Sequence, residues 1–347
     1  MQNLEKIQEN LSSIRLYNDQ IDGKFGPNTE NAIKKYQKSL FDQETGELTD
    51  FQRYYLDLGI YFSHGYMLPD DQYIKTETTK KSITVHHIAG WAKKKNGDNS
   101  VSYFWGWENN KPRIGTAFSI GIDGTIYAHF NPKYWIFHLG IKNTNGKLDQ
   151  QSIGIELANE GELTKSAKGY WKFWAGKYNR DDEPIKKLWR GGEYWAPYTE
   201  QQLESLAKLT AYLSFEYDIN MDFNSKPFEY QPSLIKSLYG INTHANLRSD
   251  KTDISPAFNW EKYVDSANFY QKYIKQGSSE QPVYSIDHVE TSTIEEEVTN
   301  KVLERLGTST DYTVKEVLNI LPQLTANEFK QFIDQDEDRK TILKELD

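Results

Sequence analysis

"ITVHHIAG", residues 83–90, sets two histidines side by side in a run of β-branched and apolar residues. The chain has only seven histidines in 347 residues. Such a run, closed by Ala89 and Gly90, predicts a buried strand. Successive side chains of a strand point to opposite faces. His86 therefore shares a face with Thr84, and His87 shares the other with Ile83 and Val85. Only one of the two can face a given site. Strand parity separates them without choosing between them.

Two other stretches bear on that pair. "SIGIEL", residues 152–157, places Glu156 between Ile155 and Leu157 in a second apolar strand. A carboxylate buried without partners is costly, so a strand glutamate of this kind points to a cation, a metal or a catalytic task. "NTHANLRSDKTDISPAFNW", residues 242–260, brings His244, Lys251 and Asp253 within ten residues of a turn-rich loop. Two histidines and one carboxylate form a ligand set for catalytic zinc, with one position left for water. The chain has no cysteine, so any metal must be held by His, Asp or Glu.

Around these stretches the pattern is mixed. Residues 83–88, 117–122, 125–129 and 152–157 read as strands, with Asp123 and Gly124 turning between the second and third. "YTEQQLESLAKLTAYLSFEY" reads as a helix, opened by a Thr199/Gln202 capping pair and lined by Leu203, Leu206, Leu209 and Leu213. The expectation is an α/β domain over 81–275, with a central mixed β-sheet flanked by helices. Residues 1–58 read instead as a small all-α bundle: Leu4, Ile7, Leu11 and Ile14 recur at helical spacing, and "DGKFGPNTENAIKKYQ" supplies turns and then a helix. Residues 59–80 read as a connector, 276–293 as a linker, and 294–347 as a small helical tail.

Charge divides the chain in the same way. Residues 278–347 carry 16 acidic and 7 basic side chains, which accounts for the whole net charge of -9. The rest is neutral, with no basic face of the kind nucleic acid requires. No apolar run reaches the roughly 20 residues that span a bilayer. Mean hydropathy is -0.76, yet 14% of residues are aromatic, which argues against disorder as the general state.

The motifs also carry resemblances. Gln8, Leu11, Asp22-Gly23, Phe25-Gly26, Thr29, Ala32 and Tyr36-Gln37 resemble the peptidoglycan-binding module of cell-wall hydrolases, over residues 1–58. V-H-H, D-G-T-I-Y, F-H-L-G, S-I-G-I-E-L and T-H…K-T-D…P-A-F-N-W, in that order, resemble the zinc-dependent N-acetylmuramoyl-L-alanine amidase family, over about residues 80–265. That class includes phage amidase lysozymes, muropeptide amidases and peptidoglycan recognition proteins. The resemblance implies one zinc ion per chain on His86, His244 and Asp253. It implies Glu156 as general base and acid, and Lys251 as the stabiliser of the oxyanion. The reaction it implies is hydrolysis of the amide between N-acetylmuramic acid and the L-alanine of the stem peptide, with a zinc-activated water as nucleophile. His138, in "WIFHLG", matches a position near the cleft and is expected to contact substrate.

The sequence also departs from the family. Thr116, Ala117 and Phe118 stand where relatives carry a tyrosine or histidine, which puts more weight on Glu156. An apparent insertion over about 164–197 holds four of the nine tryptophans among lysines, arginines and glycines. Trp171 and Trp174 are candidates for substrate binding there, and an aromatic satellite core is the competing reading. A peptidoglycan-recognition module that binds without cutting and a component of a phage-like particle are the alternative functions. The expected partner is peptidoglycan, with a further protein partner for the acidic tail, such as a phage-like or injection apparatus. "MQNLEKIQENL" lacks a secretion signal. The expectation is synthesis in the cytoplasm and action on the wall after lysis, holin release or injection.

Overall fold

The computed structural model describes residues 4–92 and 114–276. The predicted tail, and the linker from residue 277 onward, lie outside the described residues. Three helices open the chain: α1 (Leu4–Ser13), α2 (Pro27–Ser39) and α3 (Asp50–Asp57). Buried Gln8 is their hub. Its amide nitrogen lies 3.2 Å from Tyr17 Oη, 3.1 Å from Asp22 Oδ1, 3.0 Å from the Lys24 carbonyl and 3.2 Å from Thr29 Oγ1. Its carbonyl oxygen accepts from the backbone N–H groups of Asp22 and Gly23 at 3.0 and 2.9 Å. A buried amide must be satisfied or it destabilises the fold. The motif Asp22-Gly23-x-Phe25-Gly26-x-x-Thr29 thus has a physical basis: it wraps a turn around one glutamine. Gly23, at φ 67°, takes the left-handed conformation that turn needs.

The central sheet has six strands: β1 (Phe62–Ser63), β2 (Ser82–His87), β3 (Phe118–Ile120), β4 (Ile126–Ala128), β5 (Ser152–Leu157) and β11 (Gly240–Thr243). Their spatial order is β1-β4-β3-β5-β2-β11. All pairings are parallel except β3 with β4, so the sheet is mixed as expected. The stretch read as a connector contributes β1, an edge strand two residues long. A short helix, α4 (Lys147–Gln151), leads directly into β5.

On one face, Ile83, Val85, Ile153, Ile155, Leu157 and Ile241 belong to a single continuous core with Leu203, Leu206, Leu209, Tyr263 and Ala267 of two long helices. These are α5 (Glu200–Glu216) and α7 (Trp260–Gln276). The Thr199/Gln202 capping box at the start of α5 is present as read. Thr199 also donates to the Ile122 carbonyl at 2.7 Å, and Gln202 to that of Ala158 at 2.8 Å, which ties the helix to the ends of two strands.

The segment read as an insertion forms a second sheet of five antiparallel strands: β6 (Glu162–Lys165), β7 (Trp171–Phe173), β8 (Gly176–Lys177), β9 (Ile185–Trp189) and β10 (Gly192–Trp195). It has a core of its own, made by Leu163, Phe173, Tyr178 and Ala196 with Trp91, Trp171 and Tyr194 against them. The aromatic satellite core is therefore present. Lys165 lies 5.4 Å from the Trp171 ring and Lys186 lies 5.6 Å from that of Tyr194, where long aliphatic stems can cover aromatic faces.

Candidate metal centre

Parallel register builds the site. His86 pairs with Glu156 across β2 and β5, so both side chains leave the sheet on the face opposite the helix-covered core. Thr243 closes β11 opposite Val85, and His244 follows as the first residue of a one-turn helix, α6 (His244–Leu247). Thr243 and Asn246 form a capping box there, which fixes the direction in which the chain leaves the sheet. Asp253 returns on the following loop, where the Ala245 N–H donates to its carbonyl at 2.8 Å.

Three ligand atoms converge. His86 Nδ1 and His244 Nδ1 stand 3.0 Å apart, and Asp253 Oδ2 lies 3.0 Å from the first and 2.9 Å from the second. All three residues are buried. Two imidazole lone pairs at that distance repel unless a cation lies between them. Ligands bound at about 2.0–2.1 Å in tetrahedral geometry lie about 3.3 Å from one another, close to the spacing here. The outer nitrogens agree with this arrangement. His244 Nε2 donates to the Leu139 carbonyl at 2.9 Å, and His86 Nε2 lies 3.0 Å from His138 Nδ1. The His244 ring is thereby held in the tautomer that turns its Nδ1 lone pair inward. The donor set fits zinc.

Electrostatics keep these groups in metal-binding forms. Burial, assisted by His244, lowers the His86 pKa to about 3, so the ring is neutral at physiological pH. Burial alone would raise the Asp253 carboxyl, but His244 and His86 outweigh it and hold the group well below the usual range. Glu156 is the reverse case. Burial, with Asp253 adding to it and Lys251 opposing, raises its pKa well above the ordinary value. Its Oε2 is buried without a hydrogen-bond partner. A carboxylate in that condition has high proton affinity.

The remaining sequence candidates separate. His138 sits behind His86, against its outer nitrogen, and burial lowers its pKa to about 4. Leu139 and His138 are both held by Asp149, whose carboxylate accepts their backbone N–H groups at 2.9 and 2.8 Å. His87 points to the other face, where Nδ1 lies 2.6 Å from Tyr198 Oη. Tyr198 accepts in turn from the Ser255 N–H at 3.2 Å, two residues beyond Asp253. Tyr198 gave no signal in the sequence beyond its place before a helix cap. Trp171 is half-buried against Tyr194. Trp174 is 78% exposed, and its indole N–H donates to the carbonyl of Ala89, three residues past His86. His129 is a satisfied core histidine, bonded to the Tyr66 carbonyl and Ser119 Oγ, both at 2.9 Å.

Gly154 has a place in this geometry. A Cβ there would lie 2.7 Å from Thr116 Cγ2 and 2.8 Å from His138 Nδ1. Gly154→Ala is expected to cost about 1–3 kcal/mol by overpacking and to displace His138 from His86. Thermal unfolding with zinc titration checks this: both stability and metal affinity should fall.

Family models match both parts of the chain. Residues 76–256, just over half of the chain, match the family model described as N-acetylmuramoyl-L-alanine amidase, and residues 1–54 match a model for a peptidoglycan binding domain. Comparison with curated proteins found no match. Among solved structures, the catalytic domain of XlyA aligns at 15% identity and a TM-score of 0.37, covering 60% of this chain and 99% of that one. The amidase LysC from Clostridium intestinale aligns at 15% identity and 0.34, over 59% and 99%. AmiD from E. coli, solved with anhydro-N-acetylmuramic acid-L-Ala-D-gamma-Glu-L-Lys, aligns at 17% and 0.36, over 55% and 59%. With the mixed sheet, the buried His86–His244–Asp253 group and a family match spanning both, the chain belongs to the N-acetylmuramoyl-L-alanine amidase family and carries a peptidoglycan-binding domain ahead of its catalytic region.

Proposed function

We propose that this peptidoglycan amidase is zinc-dependent and cuts the amide between the lactyl group of N-acetylmuramic acid and the L-alanine of the stem peptide. The observation that carries the reading is the convergence of His86 Nδ1, His244 Nδ1 and Asp253 Oδ2 within 3.0 Å, beside Glu156 on the same sheet face. Held by those three atoms, a zinc ion supplies Lewis acidity toward the attacking water and the scissile carbonyl.

The protein's own groups do the rest. Glu156, with high proton affinity and a free buried oxygen, takes a proton from the attacking water and delivers one to the departing amine nitrogen. The C–N bond breaks, leaving a lactyl carboxylate and a free L-alanine amino group. Lys251, near enough to lower the Glu156 pKa, balances the negative charge that develops on the carbonyl oxygen. His138 orients His86, a role its position supports better than substrate contact. Trp174, with its ring open to solvent near Ala89, is placed to meet sugar or stem peptide, while Trp171 serves chiefly to pack the inserted sheet. The N-terminal domain holds the enzyme on the wall, and the activity is exercised on the wall itself.

Digestion of purified sacculi tests the reading. The zinc-loaded protein should release new L-alanine amino termini without new reducing sugar ends, and chelation should stop the release. New reducing ends, or zinc-loaded protein that binds sacculi without cutting, would overturn it.

A further inference from the structure

The inserted sheet reaches the metal-ligand loop from two sides. Arg190 stands at the tip of the β9–β10 hairpin with φ 48°, followed by Gly191 at φ 86°. Two left-handed residues make the tight turn that suits twisted strands, but an arginine in that region carries strain. What holds it is its own guanidinium. Nη1 donates to the carbonyls of Arg248, at 3.0 Å, and Lys251, and Nη2 donates to that of Ala245 at 2.9 Å. The guanidinium also lies 4.8 Å from the Trp189 ring. That ring is anchored by Nε1 donating to the Phe228 carbonyl at 3.0 Å and by packing against Trp195 at 5.4 Å.

All three carbonyls belong to the segment that carries His244, Lys251 and Asp253. α6 is a single turn, so its last carbonyls have no partners within the helix. The planar fork of fixed donors satisfies the Ala245 carbonyl of α6 together with those of Arg248 and Lys251, in a fixed geometry that the rotatable ammonium of a lysine does not impose. At the base of the insertion, Tyr198 accepts from the Ser255 N–H and is fixed by His87. The loop is therefore gripped at 245, 248 and 251 by the hairpin tip and at 255 by the hairpin's root.

We propose that Arg190 is a positioning residue for the amidase reaction: through it the inserted sheet fixes the loop that presents Lys251 and Asp253. The proposal rests on the roles given to those residues above. It makes the insertion part of the active-site scaffold, in addition to any contact Trp174 makes with substrate.

The test compares Arg190→Ala and Arg190→Lys with the full-length enzyme, using Leu188→Ser, at an 83% exposed position of the same hairpin, as control. Amide hydrogen exchange over 245–253, zinc affinity by chelator competition, and kcat and KM on muropeptides are measured. Arg190→Ala should speed exchange in 245–253 selectively, weaken zinc about 10-fold and lower kcat with little change in KM. Added guanidinium ion should restore part of the loss, and Arg190→Lys should restore little. Should Arg190→Ala fail to fold, Arg190→Lys carries the same measurements. Exchange over 245–253 and zinc affinity within twofold of wild type in the folded variants would overturn the proposal, as would loosening spread evenly over the protein. A wild type that leaves the amide intact, while Arg190→Ala still loosens the loop and loses zinc, would sink the chemical reading and leave the brace standing.

Discussion

Glu156→Gln is expected to lower kcat for amide hydrolysis by about two to four orders of magnitude while the protein stays folded and keeps its zinc. The substitution preserves size and shape but removes the group that accepts a proton. The histidines described near it turn ring nitrogens to other groups. His86 and His244 turn their inner nitrogens toward Asp253 and the metal position, and His138 turns Nδ1 toward His86. From β3, Ser119 pairs in register with Glu156, and its hydroxyl is engaged by His129 Nε2 at 2.9 Å. Folding should survive because Glu156 Oε2 makes no hydrogen bond. A neutral amide there also relieves the burial and the Asp253 charge that raise the carboxyl pKa. The variant should therefore be at least as stable as wild type. Single-turnover kinetics with metal analysis decide the matter. Activity within tenfold of wild type would remove Glu156 from the chemistry, and loss of zinc would make it a structural support of the site.

The site was legible where geometry has an exact period. Strand alternation separates His86 from His87 with no knowledge of the fold, and the structure turns them to opposite faces. Glu156 stood out because a carboxylate inside an apolar strand has few inexpensive explanations. The inserted sheet was less legible. Its strands run two to five residues, and Lys172, Lys177, Lys186 and Lys187 break the apolar alternation that marks a strand. β1 was hidden for the same reason, since two residues show no period. Arg190 and Tyr198 left no local trace. Each acts on backbone groups more than fifty residues away, and a carbonyl has no side-chain identity for a sequence to display. The position of His138 was readable, but its task was not, because only three dimensions show that it meets the outer nitrogen of His86.

The N-terminal helices offer a second large effect. A wall-binding domain on a flexible tether could be removed without disturbing the enzyme. Here α3 lies against the helices that back the catalytic sheet. Tyr55 packs edge-on against Tyr212 with ring centroids 4.8 Å apart, Phe51 against Phe215 at 4.6 Å, and Tyr54 against Tyr273 at 5.9 Å. Tyr55 Oη donates to Glu216 at 2.5 Å, and Tyr212 donates to the Leu40 carbonyl at 3.4 Å. Leu56, Leu58, Ile60 and Phe62 run without interruption from α3 into the core beneath the central sheet. Deleting residues 1–58 would uncover Tyr212, Phe215 and Tyr273 and leave the Glu216 carboxyl, already raised by burial, without its phenol donor. Exposing two or three such side chains costs about 3–9 kcal/mol at the usual values for burial. The shortened chain should therefore unfold at markedly lower denaturant concentration and bind apolar dyes. Tyr55→Phe isolates the polar part of the contact and should cost about 1–3 kcal/mol, because it leaves a half-buried acceptor unpaired. An unchanged unfolding transition in the deletion variant would show that the two parts are energetically separate. The expected loss would mean that wall-binding and catalytic surfaces are held in one fixed relation by a shared core.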